Sequence, residues 1–468
     1  MASHQTIVVE LGSSRIKVGF AGEPRPRRVL YDNDENIGCG TISSSWVNDG
    51  MVSNACHWSS FFQYYTSLLP ESTTPATATH HRTKKHHATV YDWEKTLYPL
   101  FSHIFTSILF ISRPARHRIL VLINDTFPPR SFHDALHRVL LDYLSLGGAW
   151  LLSGGVFEGI YHLLEGMPAP TKSLVTPPIA HLLVDIGKYE ARVVVCVAGM
   201  SILQDTLHVT MSGYNSFLAQ VLINYQEETL LMNNDQIDDN VTCCVTSMED
   251  ANAIIRAWIA HSTVSSSSVV TESTTISVHL PSSLQQSKVS LGTTTILLPI
   301  QPLLKALQQC YLDYSNPSSL IYTMLTTIMK CPIDYRKAAI QHVMLLGGGS
   351  VALRPIGLGL QLEMAARNAC TVSTTDSLDE RKDNNDDDNN DEVKDEKKDD
   401  CTVSMSSISR RRFQSLRMAV HGQVNDDGKR IGGIHIQYPD PFAADMVAWI
   451  GGSVMGTLSY SNYKTKGP

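Results

Sequence analysis

Short apolar runs rich in β-branched residues recur along the chain, and each ends at a polar or glycine-rich turn. Residues 7–9 form one such run, 182–187 a second and 343–346 a third. β-branched residues suit buried strands. Between these runs, residues 91–111 and 131–144 carry apolar side chains at the three- and four-residue spacing of helices. Strands that alternate with helices predict an α/β protein with parallel pairing.

The two early helices carry further expectations. Pro99 is expected to kink or split the first helix, because proline lacks an amide hydrogen and clashes with the preceding turn. Ser131 is expected to cap the second helix, with Tyr143 among its inward-facing residues. Further elements are predicted as strands at 118–124 and 192–197, and as helices at 213–221, 302–312, 320–330 and 445–458.

Residues 7–22 form the stretch with the clearest candidate chemistry. They predict a β-hairpin in which Glu10 ends the first strand, Gly12, Ser13 and Ser14 form the turn, and Lys17 lies on the return strand. Such a turn directs backbone amides and a hydroxyl toward one point, and the lysine adds positive charge. The hairpin is therefore a candidate phosphate loop, and an ordinary hairpin with a polar turn is the alternative.

Two later stretches favour the phosphate-loop interpretation. The second run ends in Asp185 and Gly187, and the third leads into Gly347, Gly348 and Gly349. Two carboxylate-ended strands, each followed by a glycine turn, together with a third glycine-rich turn, suit two phosphate loops and a nucleoside contact in a cleft between domains.

Three segments resemble motifs of the actin family. Residues 19–22 read GFAG, residues 331–337 read CPIDYRK where the family has CDIDIRK, and residues 449–453 read WIGGS. They occur in the family's order and near its spacing. The resemblance implies an actin-like fold of the actin, hexokinase and chaperone ATPase superfamily. It would have two duplicated α/β domains around a nucleotide cleft.

The resemblance also implies the domain organisation. The chain is expected to open with one actin-like domain and to return to that domain at its C-terminal end. The expected divisions are a first domain at 1–175 with a mobile insert near 66–89, a second domain at 176–370 with a Ser/Thr-rich insert near 262–290, an acidic low-complexity and disordered insert at 371–412, and a returning segment at 413–468.

A bound nucleotide is the ligand that the resemblance implies. ATP or ADP with magnesium would occupy the cleft, and Glu10 and Asp185 would contact the metal indirectly, through water. The cofactor-binding positions that match the family are Gly12, Ser13, Ser14, Lys17, Asp185, Gly187, Gly348 and Gly349.

Several positions depart from the family pattern. The resemblance implies a helix at 150–164, where Gly154 stands at the position of a water-positioning glutamine. Lys188 and Tyr189 replace an aspartate and a glycine. Glu10 replaces an aspartate. An ammonium has no lone pair, so Lys188 cannot accept a hydrogen bond from a metal-bound water. The resemblance therefore implies nucleotide binding without turnover and no catalytic residues, and an empty cleft kept as a scaffold is the alternative.

Composition limits the partners and the compartment. The 468 residues are 43% hydrophobic and 18% charged, which suits a soluble globular protein of two or three domains. Nine cysteines without a CxxC pair predict reduced thiols, and the sequence predicts neither a membrane span nor a signal peptide, so a cytoplasmic location is expected.

Charge is unevenly distributed along the chain. The net charge is −7, and residues 379–400 alone hold 12 acidic and 5 basic residues, so the remainder is formally neutral and predicts no direct nucleic-acid binding. Residues 80–87 read HHRTKKHH; metal binding is one interpretation, and a solvated insert is favoured.

The preferred functional hypothesis is a non-catalytic structural subunit. Within the actin family, the chain resembles most the branch that caps the pointed end of the short actin-like filament in dynactin. That branch would place it in the cytoskeleton with other filament and pointed-end subunits, in microtubule-motor transport. A nuclear subunit of a chromatin-remodelling complex and an actin-like ATPase, whether filament-forming, chaperone-like or sugar kinase, are the alternatives.

Overall fold

A computed structural model describes residues 5–12, 15–31, 89–123, 130–153, 180–188, 190–198, 200–207, 210–232, 254–255, 275–279, 295–371, 412–424, 430–440, 442–458 and 465. The predictions for 80–87 and for nearly all of 66–89 and 371–412 lie outside these residues. Ser13, Ser14, Gly154 and Tyr189 lie outside them too.

The first sheet contains the predicted hairpin. Its strands are β1 Gln5–Leu11, β2 Arg15–Phe20, β3 Arg28–Tyr31, β4 His117–Ile123 and β5 Gly148–Ser153, in the spatial order β3-β2-β1-β4-β5. The first three strands form an antiparallel meander, and β4 lies parallel to β1 on one side and to β5 on the other.

The second sheet repeats this arrangement. Its strands are β6 Ala180–Ile186, β7 Ala191–Val197, β8 Met200–Leu207, β11 Val343–Leu346 and β14 Ile436–Gln437, in the spatial order β14-β11-β6-β7-β8. Again three antiparallel strands are followed by two parallel ones. The duplicated α/β architecture is therefore confirmed, with β1 equivalent to β6 and β2 equivalent to β7.

Two small strand pairs complete the described sheets. Strand β9 Thr275–His279 pairs with β10 Thr295–Pro299, and β12 Gln423–Val424 pairs with β13 Arg430–Ile431, both antiparallel. The first pair brings part of the expected Ser/Thr-rich insert into regular structure.

Helix α1 spans Val90–His103 and begins at a capping box. The Thr89 side chain accepts from the Asp92 amide, and the Asp92 carboxylate accepts from the Thr89 amide. Pro99 lies inside the helix and does not split it. The irregularity comes later, as a π-helical turn at Ile104–Ile108.

Helix α2 spans Arg130–Arg138 and continues as a π-helical turn at Val139–Tyr143. Two expectations for this segment were wrong. Ser131 lies within the first turn, where its hydroxyl accepts from the Trp93 indole at 3.1 Å. Tyr143 is exposed, although its hydroxyl donates to the largely buried Glu94 carboxylate at 3.1 Å.

The expected helix over 150–164 was also wrong at its start. Trp150 belongs to β5, which pairs in parallel with β4 through the register Leu120↔Trp150. That helix was implied by matching Trp150 to an aromatic residue of the actin family, and the match fails for residues 150–153 because they complete the parallel strand β5.

The remaining helices follow the second sheet or close the chain. The predicted helix at 320–330 is confirmed with these bounds, and the Ser319 side chain caps it by accepting from the Tyr322 amide. The set is α3 Met211–Met232, α4 Ile300–Leu307, α5 Leu320–Lys330, α6 Ile333–Gln341, α7 Gly347–Leu353, α8 Leu358–Cys370, α9 Arg417–His421 and α10 Val447–Leu458, with a π-helical turn at Gln308–Leu312 and 3-10 turns at Pro114–Arg116, Arg354–Ile356 and Gln414–Leu416.

Successive side chains of a strand point to opposite faces of its sheet, and the buried residues accordingly form three clusters. In β1, Ile7 and Val9 face the core under α1 and α2, whereas Val8 faces the opposite way. Val8 shares a cluster with Leu183 of the second sheet and with Trp449 of α10. The C-terminal helix therefore packs between the inner faces of the two sheets, and the returning segment contacts both lobes.

Candidate functional site

Two equivalent hairpins face the region between the lobes, and each carries a carboxylate opposite a cation. Glu10 of β1 pairs across the ladder with Lys17 of β2, and Asp185 of β6 pairs across the ladder with Arg192 of β7. The Lys17 Nζ to Glu10 Oε1 distance and the Arg192 Nη2 to Asp185 Oδ2 distance are both 2.6 Å. Each hairpin thus holds its own ion pair.

The turns of the two hairpins are also equivalent. The Gly12 amide donates to the Arg15 carbonyl at 3.1 Å, and the Gly187 amide donates to the Glu190 carbonyl at 2.8 Å. Each glycine sits at the same step after its carboxylate-bearing residue, two positions on. The duplication therefore extends from sheet order to the individual backbone bonds of the two candidate phosphate loops.

The third predicted turn lies directly against the second hairpin. Gly347 has φ of +85°, and a Cβ there would overlap the Asp185 carboxylate. A Cβ at Gly349 would lie 2.8 Å from the Ile186 carbonyl. The predicted turn is the start of α7, and glycine lets this backbone approach Asp185. Gly348, by contrast, has open space beside it.

Asp445 links these elements, and the sequence reasoning missed it. Arg15 Nη1 lies 2.6 Å from Asp445 Oδ2, and Lys17 Nζ donates to the backbone oxygen of Asp445. The preceding Ala444 carbonyl accepts from the Gly347 amide at 3.0 Å. Two consecutive residues of the returning segment are therefore bonded to the first hairpin and to the glycine turn of the second lobe.

Arg192 was missed too, although a signal for it was present. It follows Asp185 by seven residues, as Lys17 follows Glu10, so hairpins of equal length place both cations opposite their carboxylates. No comparable local signal existed for Asp445, which lies 430 residues from Arg15.

Burial shapes the electrostatics of Glu10. Loss of solvent raises the pKa of its carboxyl above the ordinary value, the neighbouring Lys17 opposes that rise, and the carboxylates of Asp185 and Asp445 add to it. Glu10 Oε2 is buried and has no hydrogen-bond partner among the described residues. Three carboxylates therefore share one electrostatic environment.

The charged groups do not fit a magnesium triphosphate as they are arranged. Lys17 is engaged by Glu10 and Asp445, and Asp185 is engaged by Arg192, so each of these groups already has a counter-charge. Among the described residues, no group of three or more histidine, cysteine, aspartate or glutamate side chains could hold a metal ion directly. The water-mediated metal contact and the nucleotide contacts stay predictions.

Comparison with known proteins agrees with this architecture. A model of the actin family, "Actin", matches residues 1–252, more than half of the chain. The chain is also similar to "Actin-related protein 10" of Dictyostelium discoideum, with 23% identity over 371 residues that cover 74% of this chain and 71% of the relative. In the described part of the chain, no helix is long and apolar enough to cross a membrane.

A duplicated α/β fold, with an equivalent carboxylate–cation hairpin in each half, places the chain in the class of actin-like proteins. This chain belongs to the actin family.

Proposed function

We propose that this protein is a non-catalytic structural subunit of an actin-like assembly. The observation that supports it is the pairing of the hairpin charges. Lys17 and Glu10 form an ion pair at 2.6 Å, and Arg192 and Asp185 form another at the same distance. Phosphoryl transfer depends on free cations and a metal around the phosphates. In this cleft the cations of the hairpins are already paired with carboxylates, which favours a structural role over catalysis.

The position within an assembly is the finer part of the proposal. We place the protein at the pointed end of a short actin-like filament in a dynactin-type complex, in the cytoplasm, where it contacts filament subunits and other pointed-end subunits. Two features support this. One is the likeness to a protein named actin-related protein 10; the other is the CPIDYRK segment, which forms the start of α6.

Local hydrogen bonds from Arg336 hold the CPIDYRK segment, and Ile333 of this segment stays exposed. Arg336 Nε donates to the Cys331 carbonyl at 2.8 Å, and its Nη2 donates to the Met329 carbonyl at 2.6 Å. These bonds join the end of α5 to α6. Ile333 is 75% exposed, and we assign it to the contact with a neighbouring actin-like subunit.

Affinity capture of the tagged full-length protein followed by mass spectrometry tests the assembly. Actin-like filament subunits together with dynactin pointed-end subunits are the expected partners. Helicase-type remodeller subunits in their place would instead support a chromatin-remodelling role and contradict the proposal.

Phosphate release from MgATP by the purified protein tests the absence of catalysis. We expect no release above that of a buffer control. Turnover that follows the protein through every purification step would show an actin-like ATPase and overturn the non-catalytic assignment.

A further inference from the structure

Three ion pairs neutralise the region between the two hairpins. Arg15 pairs with Asp445, Lys17 with Glu10, and Arg192 with Asp185, each at 2.6 Å. The Lys17 side chain is only 5% exposed and that of Asp445 only 11%. The cations that a phosphate group would need are thus already matched by carboxylates of the protein itself.

Asp445 differs from the other two carboxylates in its origin. Glu10 and Asp185 belong to the hairpins that they neutralise, whereas Asp445 comes from the returning segment, just before α10. It engages the first hairpin twice, through its side chain with Arg15 and through its backbone oxygen with Lys17. It therefore holds the two cations of that hairpin toward one point.

We propose that Asp445 is an internal substitute for a phosphate anion, so that a phosphate-bearing ligand reaches Arg15 and Lys17 only by displacing it. Lys17 is buried and Arg15, with 32% of its side chain exposed, shares Asp445 with it. These cations need counter-charges, because an uncompensated charge in a poorly solvated site is strongly destabilising. A carboxylate supplied by the chain meets that need in the absence of any ligand. This inference concerns the cleft alone and is independent of the proposed place in an assembly.

Displacement of Asp445 would also loosen the contact between the lobes. Ala444, its neighbour, accepts from the Gly347 amide, and a Cβ at Gly347 would overlap Asp185. Movement of residues 444–445 away from the hairpin therefore weakens a bond at the second phosphate loop as well. The internal anion stabilises the closed arrangement of the two lobes and opposes ligand entry through the same contacts.

The surroundings of Glu10 support a competition between internal and external anions. Its carboxyl has a raised pKa, for which burial is the main cause and to which Asp185 and Asp445 contribute. A phosphate added beside these three carboxylates would increase the repulsion unless one of them left. Asp445 is the one that can leave, because the other two are fixed within regular strands.

Asp445→Asn tests the proposal, because it removes the charge and keeps the size. The matched control is Asp440→Asn, in the same returning segment, where Asp440 pairs with Arg354 on the surface at 3.1 Å. Binding is measured by isothermal titration calorimetry and thermal shift with two probes, MgATP and inorganic tripolyphosphate. The second probe isolates the phosphate contribution from that of the nucleoside.

We expect D445N to bind both probes at least tenfold more tightly than the wild type, and D440N to match the wild type. We also expect D445N to melt at a lower temperature without ligand. Equal affinity of folded D445N and wild type, including no binding by either, would overturn the proposal. Weaker binding by D445N would do so too, since it would make Asp445 a supporting group.

Hydrogen exchange on the wild-type protein gives a second readout that does not depend on how the variant folds. At saturating tripolyphosphate, we expect faster exchange of the Gly347 amide, which donates to Ala444. Slower or unchanged exchange at that amide, with binding established by titration, would contradict displacement of the segment.

Discussion

Gly19 lies directly beneath the indole of Trp449, so that a Cβ at Gly19 would stand 2.7 Å from the Trp449 Cζ2 atom. The first belongs to the GFAG motif near the N-terminus and the second to the WIGGS motif near the C-terminus. Trp449 is completely buried between the sheets. The GFAG and WIGGS motifs therefore pack directly against each other, and this contact joins the N-terminal hairpin to the C-terminal helix.

Gly19→Ala is expected to destabilise the fold by about 1–3 kcal/mol, the usual effect of an added methyl group in a tightly packed core. The new methyl would press on Trp449 and on the Arg27 amide, 3.1 Å away. Urea unfolding followed by Trp fluorescence measures the change. The control is Gly213→Ala, where a Cβ meets no atom within 4 Å. Equal stability of the two variants would contradict the close packing.

Ser453 joins the same two motifs through hydrogen bonds. Its hydroxyl donates to the Glu23 carbonyl at 2.9 Å and accepts from the Gly22 amide at 3.0 Å. Ser453 is 1% exposed. Ser453→Ala removes the donor to the Glu23 carbonyl, whereas the Gly22 amide keeps the Ser453 backbone carbonyl as an acceptor at 3.3 Å. The free energy of unfolding should therefore fall by about 1 kcal/mol.

Ser107→Ala, at an exposed position in the first π-helical turn, is the matched control for Ser453→Ala. Denaturant midpoints of both variants are compared with the wild type. A shift for S453A no larger than that for S107A would show that the hydroxyl bridge between the motifs contributes little to stability.

Local pattern accounts for most of the strands and helices. The strand over Val343–Leu346 and the helix over Leu320–Lys330 have the predicted bounds, because each is a complete apolar element closed by its own turn or cap. Tyr143 was misplaced for the opposite reason. Its position fits an inward-facing pattern, but its side chain is exposed while its hydroxyl donates to the buried Glu94 carboxylate. A pattern of apolar positions takes no account of that polar end.

The candidate site was predictable only in part. Gly12, Lys17 and Asp185 were found because each lies on or next to a short strand that ends at a glycine turn, and each belongs to a hairpin in the structure. Asp445 could not be found in this way, since its partner Arg15 is 430 residues away and the pair exists only after the returning segment docks. Long-range charge pairs depend on the tertiary fold, which local periodicity does not specify.

Ile333→Asp tests the proposed contact with a neighbouring subunit. Ile333 is the first residue of α6 and is 75% exposed, so the change should leave folding stability within a few tenths of a kcal/mol; a negative charge there also suits a helix N-terminus. We expect loss of co-purifying actin-like subunits without a change in melting temperature.

The control for Ile333→Asp is Leu360→Asp on α8, where the leucine is also exposed. L360D should retain its partners. Recovery of partners by I333D at the wild-type level would remove Ile333 from the interface.

His181 should make the protein less stable at mildly acidic pH. It is 7% exposed, its ring centroid lies 5.8 Å from that of His342, and His435 lies nearby, 3.8 Å from Glu363. Burial, with a smaller contribution from His342, lowers the pKa of His181 to about 4. Burial, together with His435, lowers the pKa of His342 as well.

Proton uptake by the unfolded chain determines how the free energy of unfolding changes with pH. Between pH 6.5 and about 4 the unfolded chain binds a proton at residue 181 that the folded protein excludes, so stability falls as pH falls through this window. At pH 5 the expected loss from His181 is about 2 kcal/mol relative to pH 7.5. Urea unfolding at several pH values measures it.

His181→Gln removes the titrating group, and it should flatten the dependence of the free energy of unfolding on pH between 7.5 and 5. His103→Gln, at a half-buried position in the last turn of α1, serves as control and should retain the wild-type slope. If H181Q and the wild type lose the same free energy on acidification, the folded protein accommodates the protonated ring, and the acid sensitivity must come from other groups such as His342.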